Sequence, residues 1–338
     1  MHVARRTEWF GVLSRRHRHG HGSVKTGSGL SMRHPLKMYA AVAMLVGASW
    51  PGSARADWRD EIGTFRIGIV AEPGAGNTVP GLAALTDAYT KALGMKVEFV
   101  VARDYAALIE AQADARIEYA VYSATAYATA LRRCGCVEPL VAPVDSDGAV
   151  GIRSVLLTRG GKVPDVAAME AHRIAMAPSD SVGGSLLPLA ALTAQGVEIT
   201  QDAPFMIQAS SATAAEAMLV DGQADALFGW APVAADGQSE VTGGTEARLE
   251  AAGIGKSELK IVWASGILRY GPHTVRSDLD PEAKRRLTVF LTNLKSMSPD
   301  IYDLLETKHA GGFTSAAPKD YDMAVSIVRM MSDSSLQR

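Results

Sequence analysis

Aromatic residues make up only 6% of the 338-residue sequence, and it contains just two cysteines. So few cysteines exclude a disulfide-stapled scaffold, and the pair that exists, Cys134 and Cys136, flanks Gly135. A zinc site would need two more ligands, and the C-x-x-C redox spacing is absent. A local disulfide and a pair of thiols both remain open. Beyond residue 56 the histidines are His172, His273 and His309, too widely spaced to nominate a metal triad or a Ser-His-Asp arrangement. No catalytic residue, metal or cofactor is expected. The chain also lacks a low-complexity tract and any fixed-period repeat.

Cationic charge is scarce where it would matter. Residues 1–56 hold nine of the 34 Lys and Arg and one of the 36 Asp and Glu, so residues 57–338 carry 25 cationic against 35 acidic side chains. Binding along a nucleic-acid backbone needs clustered cations, so nucleic acid is excluded as a partner. The basic leader has the form of an export signal: Arg33 and Lys37 precede the apolar run Met38–Val46, and Ala54-Arg55-Ala56 supplies an A-x-A cleavage pattern before Asp57. That run is too short to span a bilayer. Its long n-region allows a true start at Met32 or Met38, and His17, His19 and His21 within it are assigned no function. No cysteine stands at the cleavage point, so no lipid anchor is indicated. The expected product is an extracytoplasmic, periplasmic protein beginning at Asp57.

Hydrophobic residues form 47% of the sequence, enough for a sizeable core, expected here to be divided between two lobes. Arg66–Val70 reads as a buried strand. A Gly/Pro/Asn turn and a helix over 81–93 follow, then a strand over 96–100, a helix capped by Asp104, a strand over 117–122 and a helix over 124–132. A second series opens with the strand 150–157. It continues with strands at 173–177, 205–208, 224–228, 259–264 and 273–276, helices at 184–194 and 212–220, and terminal helices at 281–295 and 321–331. This alternation predicts an α/β protein with two doubly wound mixed sheets, largely parallel, joined by a two-segment hinge into a bilobal molecule. Lobe 1 is expected to comprise 57–149 with 273–338, and lobe 2 to comprise 150–272.

Two turns invite a ligand. Gly74-Ala75-Gly76 follows a strand, with Glu98 on the next, but Val79 stands where a dinucleotide fingerprint needs its third glycine. It reads better as a loop facing a cleft. The segment Pro178-Ser179-Asp180-Ser181-Val182-Gly183-Gly184-Ser185 lies between a strand and a helix, where unpaired N–H groups, the helix dipole and small side chains let an oxyanion approach. Ser181 and Ser185 add hydroxyls. Leu187 stands where a G-x-S-x-G nucleophile elbow needs glycine. On this basis Gly183→Asp is expected to block the nest and leave the fold intact.

Taken in order, Phe65–Val70, Asp104–Ile109, Val121-Tyr122-Ser123, Gly151–Leu157, Ser181–Gly184, Gly222–Ala226 and Val262–Ser265 resemble the periplasmic phosphate/phosphite/phosphonate-binding proteins of ABC importers. These form the PhnD-like group of type II solute-binding proteins. The resemblance implies a bilobal type II fold that captures a small oxyanion in an interlobe cleft by hinge closure and presents it to an inner-membrane permease, as a monomer. It implies that Tyr105 and Tyr122 donate phenolic O–H groups, that Ser181, Val182, Gly183 and Gly184 form the oxyanion nest, and that Glu72 lines the cleft. Three stretches depart from the family pattern: Ser181-Val182-Gly183 where a hydroxyl run is usual, Ser210–Thr213 where a histidine is usual, and Phe228-Gly229-Trp230-Ala231-Pro232 where an acidic residue is usual. Trp230 in the last of these points to an apolar or aromatic part of the ligand. Two alternatives keep the fold: a ligand sensor that docks to a sensor kinase, and an importer component for a solute without phosphorus.

Overall fold

Strand β1 (Thr64–Val70) is buried on both faces over Ile67-Gly68-Ile69, as a central parallel strand requires. The computed structural model describes residues 57–71, 78–237 and 241–336. The leader and its signal-peptide assignment, Glu72 and the Gly74-Ala75-Gly76 turn lie outside the described residues. A short helix α1 (Trp58–Ile62) precedes β1. It is followed by α2 (Leu82–Leu93), β2 (Lys96–Ala102), α3 (Tyr105–Ala113), β3 (Tyr119–Val121), α4 (Ala124–Cys134) and β4 (Val137–Val144). β5 (Ala149–Arg159) and β6 (Ile174–Met176) come next, then a π-turn (Val182–Leu186) running directly into α5 (Leu187–Ala194). The chain continues through β7 (Met206–Gln208), α6 (Ala212–Val220), β8 (Ala226–Ala234), α7 (Gly244–Ala251), β9 (Leu259–Ala264) and β10 (Leu268–Arg269). It ends with β11 (His273–Arg276), α8 (Pro281–Met297), α9 (Pro299–Leu305), β12 (Gly312–Ser315) and α10 (Asp322–Leu336).

Two mixed sheets result. The first has the order β12-β4-β11-β3-β1-β2; the second has the order β10-β5-β8-β6-β7, with β9 also pairing with β5. In the first, β1 runs parallel to β2 and β3 while β11 is antiparallel to β3 and β4. In the second, β6 is parallel to β7 and β8, and β5 is antiparallel to β8. The chain passes between sheets at 145–148 and at 270–272. The two passages lie together: Tyr270 N–H donates to Val150 C=O at 3.1 Å and the Tyr270 hydroxyl donates to Asp145 Oδ2 at 2.8 Å. A Cβ at Gly271 would run into the Tyr122 carbonyl, so this passage can hug the end of β3 only with glycine there.

The core is largely divided between the two sheets, with one cluster shared by both. One apolar cluster joins Leu108, Tyr127 and Ala130 beside the first sheet to Leu187, Ala190 and Leu268 of the second, with Ala324 and Ile327 of α10 between them. The C-terminal helix, expected to belong to lobe 1, thus packs on α4 and α5 together. Two further elements depart from expectation. β4 was hidden by Pro139 and Pro143, which lack the ladder N–H, and Pro139 sits opposite a register shift in β11. β8 runs on to Ala234 through Gly229 and Pro232, residues that read as breakers; Gly229 leaves room for Thr245 of α7, whose Oγ1 would lie 2.5 Å from a Cβ there. Cys134 and Cys136 are joined by a disulfide at the end of α4, where Gly135 takes positive φ.

His273, in the strand that returns to the first sheet, is fully buried. Its Nδ1 is bonded to the Tyr119 hydroxyl, which pairs in turn with the Tyr89 hydroxyl at 3.1 Å; its Nε2 has no partner among the described residues. Burial pulls its pKa from 6.5 down to about 4, against a smaller upward pull from Glu306. The unfolded chain binds this proton near pH 6.5 and the native chain does not, so stability is full above that pH and falls as pH drops toward 4. The loss across the window is about 3 kcal/mol. Denaturant titrations at pH 7.5 and pH 5 should show much of this loss, and His273→Gln should flatten it. An equally steep decline in that variant would place the titration elsewhere.

Candidate functional site

Both groups of predicted ligand residues sit at strand ends. In the second sheet, β6 ends at Met176 and the chain turns through Pro178–Ser181 into the π-turn. Ser185 and Leu186 N–H both donate to Ser181 C=O at 3.0 Å. The amides of Val182, Gly183 and Gly184 precede Ser185, the first amide to donate within the turn, and have no partner among the described residues. The helix was expected to begin at 184. Instead it starts at 182, and the Ser181 side chain makes no capping bond. Ser185 is fully buried and accepts from Gln201 Nε2 at 2.9 Å, so its hydroxyl braces the turn from behind.

The glycines of this turn are dictated by what lies beneath. A Cβ at Gly184 would stand 2.7 Å from Ala177 Cβ, and one at Gly183 would stand 2.9 Å from Trp230 Cβ. Trp230 is therefore the support on which Gly183 rests. Trp230 N–H donates to Thr245 Oγ1 at 3.0 Å, and the Arg248 guanidinium lies 5.2 Å from its ring centroid. Arg248 in turn makes bonds of 2.6–3.1 Å to Glu216, which is 7% exposed, and one of 3.0 Å to Thr245 Oγ1. This clamp corrects the expectation that Gly183→Asp would leave the fold intact, because any side chain at 183 must displace Trp230.

In the first sheet, Tyr105, Tyr122 and Ser123 line one cavity of about 330 Å³ at the ends of β1, β2 and β3. Asp104 fixes the approach of Tyr105 by capping α3, with its Oδ1 accepting Ala107 N–H at 2.7 Å. Tyr105 is 41% exposed and stands at the mouth; Tyr122 is 2% exposed and lies deep, with ring centroids 6.4 Å apart. The Tyr122 hydroxyl donates to Leu108 C=O at 3.4 Å, and burial pushes its pKa well up, so it stays protonated.

The far wall of the cavity was not foreseen. It is the segment after α9, where Glu306, Lys308 and His309 face the tyrosines. Glu306 Oε1 accepts from the Lys308 and His309 amides at 2.9 and 3.1 Å and pairs with His309 Nδ1 at 3.1 Å. Burial alone would raise the Glu306 pKa, but the bonds from His309 and Lys308 outweigh it and the net shift is downward. His309 also lies over Tyr270 of the inter-sheet passage, with centroids 4.0 Å apart. The Glu306-x-x-His309 spacing was the one available signal, and it means little until α9 brings it beside Tyr105.

Tyr105 and Tyr122 thus come together, as do Ser181–Gly184 and Trp230, and the cavity that the tyrosines line includes none of the second group. Arg153 and Arg269, near the inter-sheet passages, are both bonded within the protein. Arg269 pairs with Asp320 at 3.1 Å, and Arg153 donates to Gly237 C=O at 3.3 Å. No described helix is long and apolar enough to cross a membrane.

Two mixed α/β sheets of this strand order, joined by paired crossings, define a type II periplasmic-binding-protein fold. Residues 67–321 match the family described as "ABC transporter, phosphonate, periplasmic substrate-binding protein", and the chain belongs to that family. Among solved structures, XAC2383 from Xanthomonas citri bound to chloride ion is similar at a TM-score of 0.52 and 17% identity, covering 80% of this chain and 99% of its own. The same protein bound to ATP matches at a TM-score of 0.52 and 15% identity, covering 80% and 98%. PhnD1 from Prochlorococcus marinus in complex with methylphosphonate matches at a TM-score of 0.43 and 16% identity, also covering 80% and 98%.

The clamp makes a specific prediction. Gly183→Ala should cost about 1–3 kcal/mol by overpacking against Trp230, and the cost should shrink in a Trp230→Gly background. Equal costs in both backgrounds, measured by denaturant titration, would mean that Trp230 does not bear on Gly183.

Proposed function

We propose that the protein captures a phosphonate, phosphite or phosphate anion between lobes formed by 57–149 with 273–338 and by 150–272, and delivers it to an ABC permease. The observation that carries this reading is the row of unpartnered amides at Val182, Gly183 and Gly184, set at a strand end and freed of side chains where Gly183 and Gly184 stand. Such a nest suits an oxyanion without any formal positive charge. Tyr105 supplies a donor from the other lobe, while Tyr122, its hydroxyl taken by Leu108, contributes a wall. Closure follows because a ligand bonded to both lobes favours the state in which both sets of bonds are made at once. XAC2383, which shares the fold, is seen with chloride and with ATP, and the proposed cargo is anionic like both.

On this reading the chain works as a monomer in the periplasm after its 1–56 leader is removed, and it binds its ligand without turning it over. Val182 is 39% exposed and begins the helix, so Val182→Asp keeps the fold, where an acidic first turn is stabilising, and sets a carboxylate against the anion. Calorimetry with methylphosphonate, phosphite and phosphate should show binding to the parent protein and a loss of about tenfold or more in Val182→Asp at unchanged melting temperature. Tyr105→Phe should cost on the order of 1–3 kcal/mol of binding. Unaltered affinity in Val182→Asp would remove the π-turn from the site, and unaltered affinity in Tyr105→Phe would reduce that residue to packing.

A further inference from the structure

The cavity beside Tyr105 is too large and too apolar for a bare oxyanion. Its volume of about 330 Å³ equals the liquid share of roughly eleven waters, and a tetrahedral anion with its handful of heavy atoms fills a small part of that. The walls include Ile69, Val79, Leu85, Phe99, Leu304 and Leu305. Ile69 and Leu85 are 8% and 1% exposed, so the apolar lining reaches into the protein and is not a surface accident.

The polar groups in the same cavity are largely committed to the protein. Tyr122 is bonded to Leu108, Ser123 Oγ accepts Ala126 N–H at 3.1 Å, and Glu306 Oε1 is held by the Lys308 and His309 amides and by His309 Nδ1. Tyr105, at the mouth, has no hydroxyl partner among the described residues. Tyr105, Thr307 and Lys308 on its exposed lining and the apolar chamber beside them match an amphiphilic anion.

We infer that the ligand is an organic anion with an apolar arm of several carbons, an alkyl- or arylphosphonate, whose arm occupies the chamber between β1, β2 and the end of α9. The phosphonate head rests on the function proposed above; the arm rests on the chamber alone. Filling apolar walls with carbon removes both from water and gives an affinity that climbs with chain length.

Calorimetry on the purified protein with methyl-, propyl-, hexyl- and phenylphosphonate, alongside hexanesulfonate and hexanoate, separates the two ideas. Affinity should rise about fourfold for each methylene seated, with an increasingly negative heat-capacity change along the series. In Leu305→Asn the rise should flatten while methylphosphonate still binds, which also reports that the variant is folded. Should that variant fail to fold, the parent series decides. Methylphosphonate binding as well as or better than the longer members would overturn the apolar arm and leave the proposed function standing. Chain-length dependence among sulfonates or carboxylates with no phosphonate binding would support the arm and remove the phosphorus head. No binding by any member would overturn both.

Discussion

The arrangement of this protein depends on two passages of chain, 145–148 and 270–272, that lie side by side between the sheets. Tyr270 ties them together by its hydroxyl to Asp145 and its N–H to Val150. Burial first, and then the Asp145 carboxylate, push the Tyr270 phenol pKa up, so it remains a donor at any physiological pH. The same passage accepts Tyr122 N–H on Pro272 C=O, and His309 lies against Tyr270. Residues that line the cavity are therefore in direct contact with the chain that joins the sheets. A molecule pressing on Tyr122 or His309 presses on the connection itself.

The C-terminal helix sets a limit on how that connection can be used. Ala324 and Ile327 are fully buried in a cluster that includes Leu187 and Leu268 on one side and Leu108 and Tyr127 on the other. Separating the sheets on this side would expose apolar surface at roughly 25 cal/mol per Å².

Much of the architecture was legible because core periodicity is a local property. β1, α2, β2 and α6 fall within a residue or two of where alternation, Asp104 and Gly94 put them, and α6 coincides with its predicted range. What was not legible depended on partners distant in sequence. Pro139 argued against a strand until β11 supplied a register shift opposite it. Gly229 argued for a break until Thr245 was seen to need the space. The resemblance to a family brought Tyr105, Tyr122 and the Ser181–Gly184 turn into view, and the fold sorts them into two groups. It did not foresee Glu306–His309, because that wall is assembled by α9 some two hundred residues from Tyr105, and no local pattern marks a residue as one side of a cavity. Trp230 lies under Gly183 and beside Arg248, contacts that no local pattern around it announces.

The acidity of the chain bears on how such a site must work. Residues 57–338 carry 25 cationic side chains against 35 acidic ones, so on the proposed reading long-range attraction does not bring an anion in. Arg248, the guanidinium nearest to the argument, is neutralised by Glu216 and spread over the Trp230 face, so it stabilises the scaffold and contributes little potential to the turn. The attraction must then be short-ranged, from amide dipoles aligned before the ligand arrives and from apolar walls that respond only on contact. Such a site discriminates by fit, because each contribution vanishes within a few ångströms of misplacement. It follows that association should depend weakly on salt, and that differences in affinity between related ligands should reside in how slowly they leave.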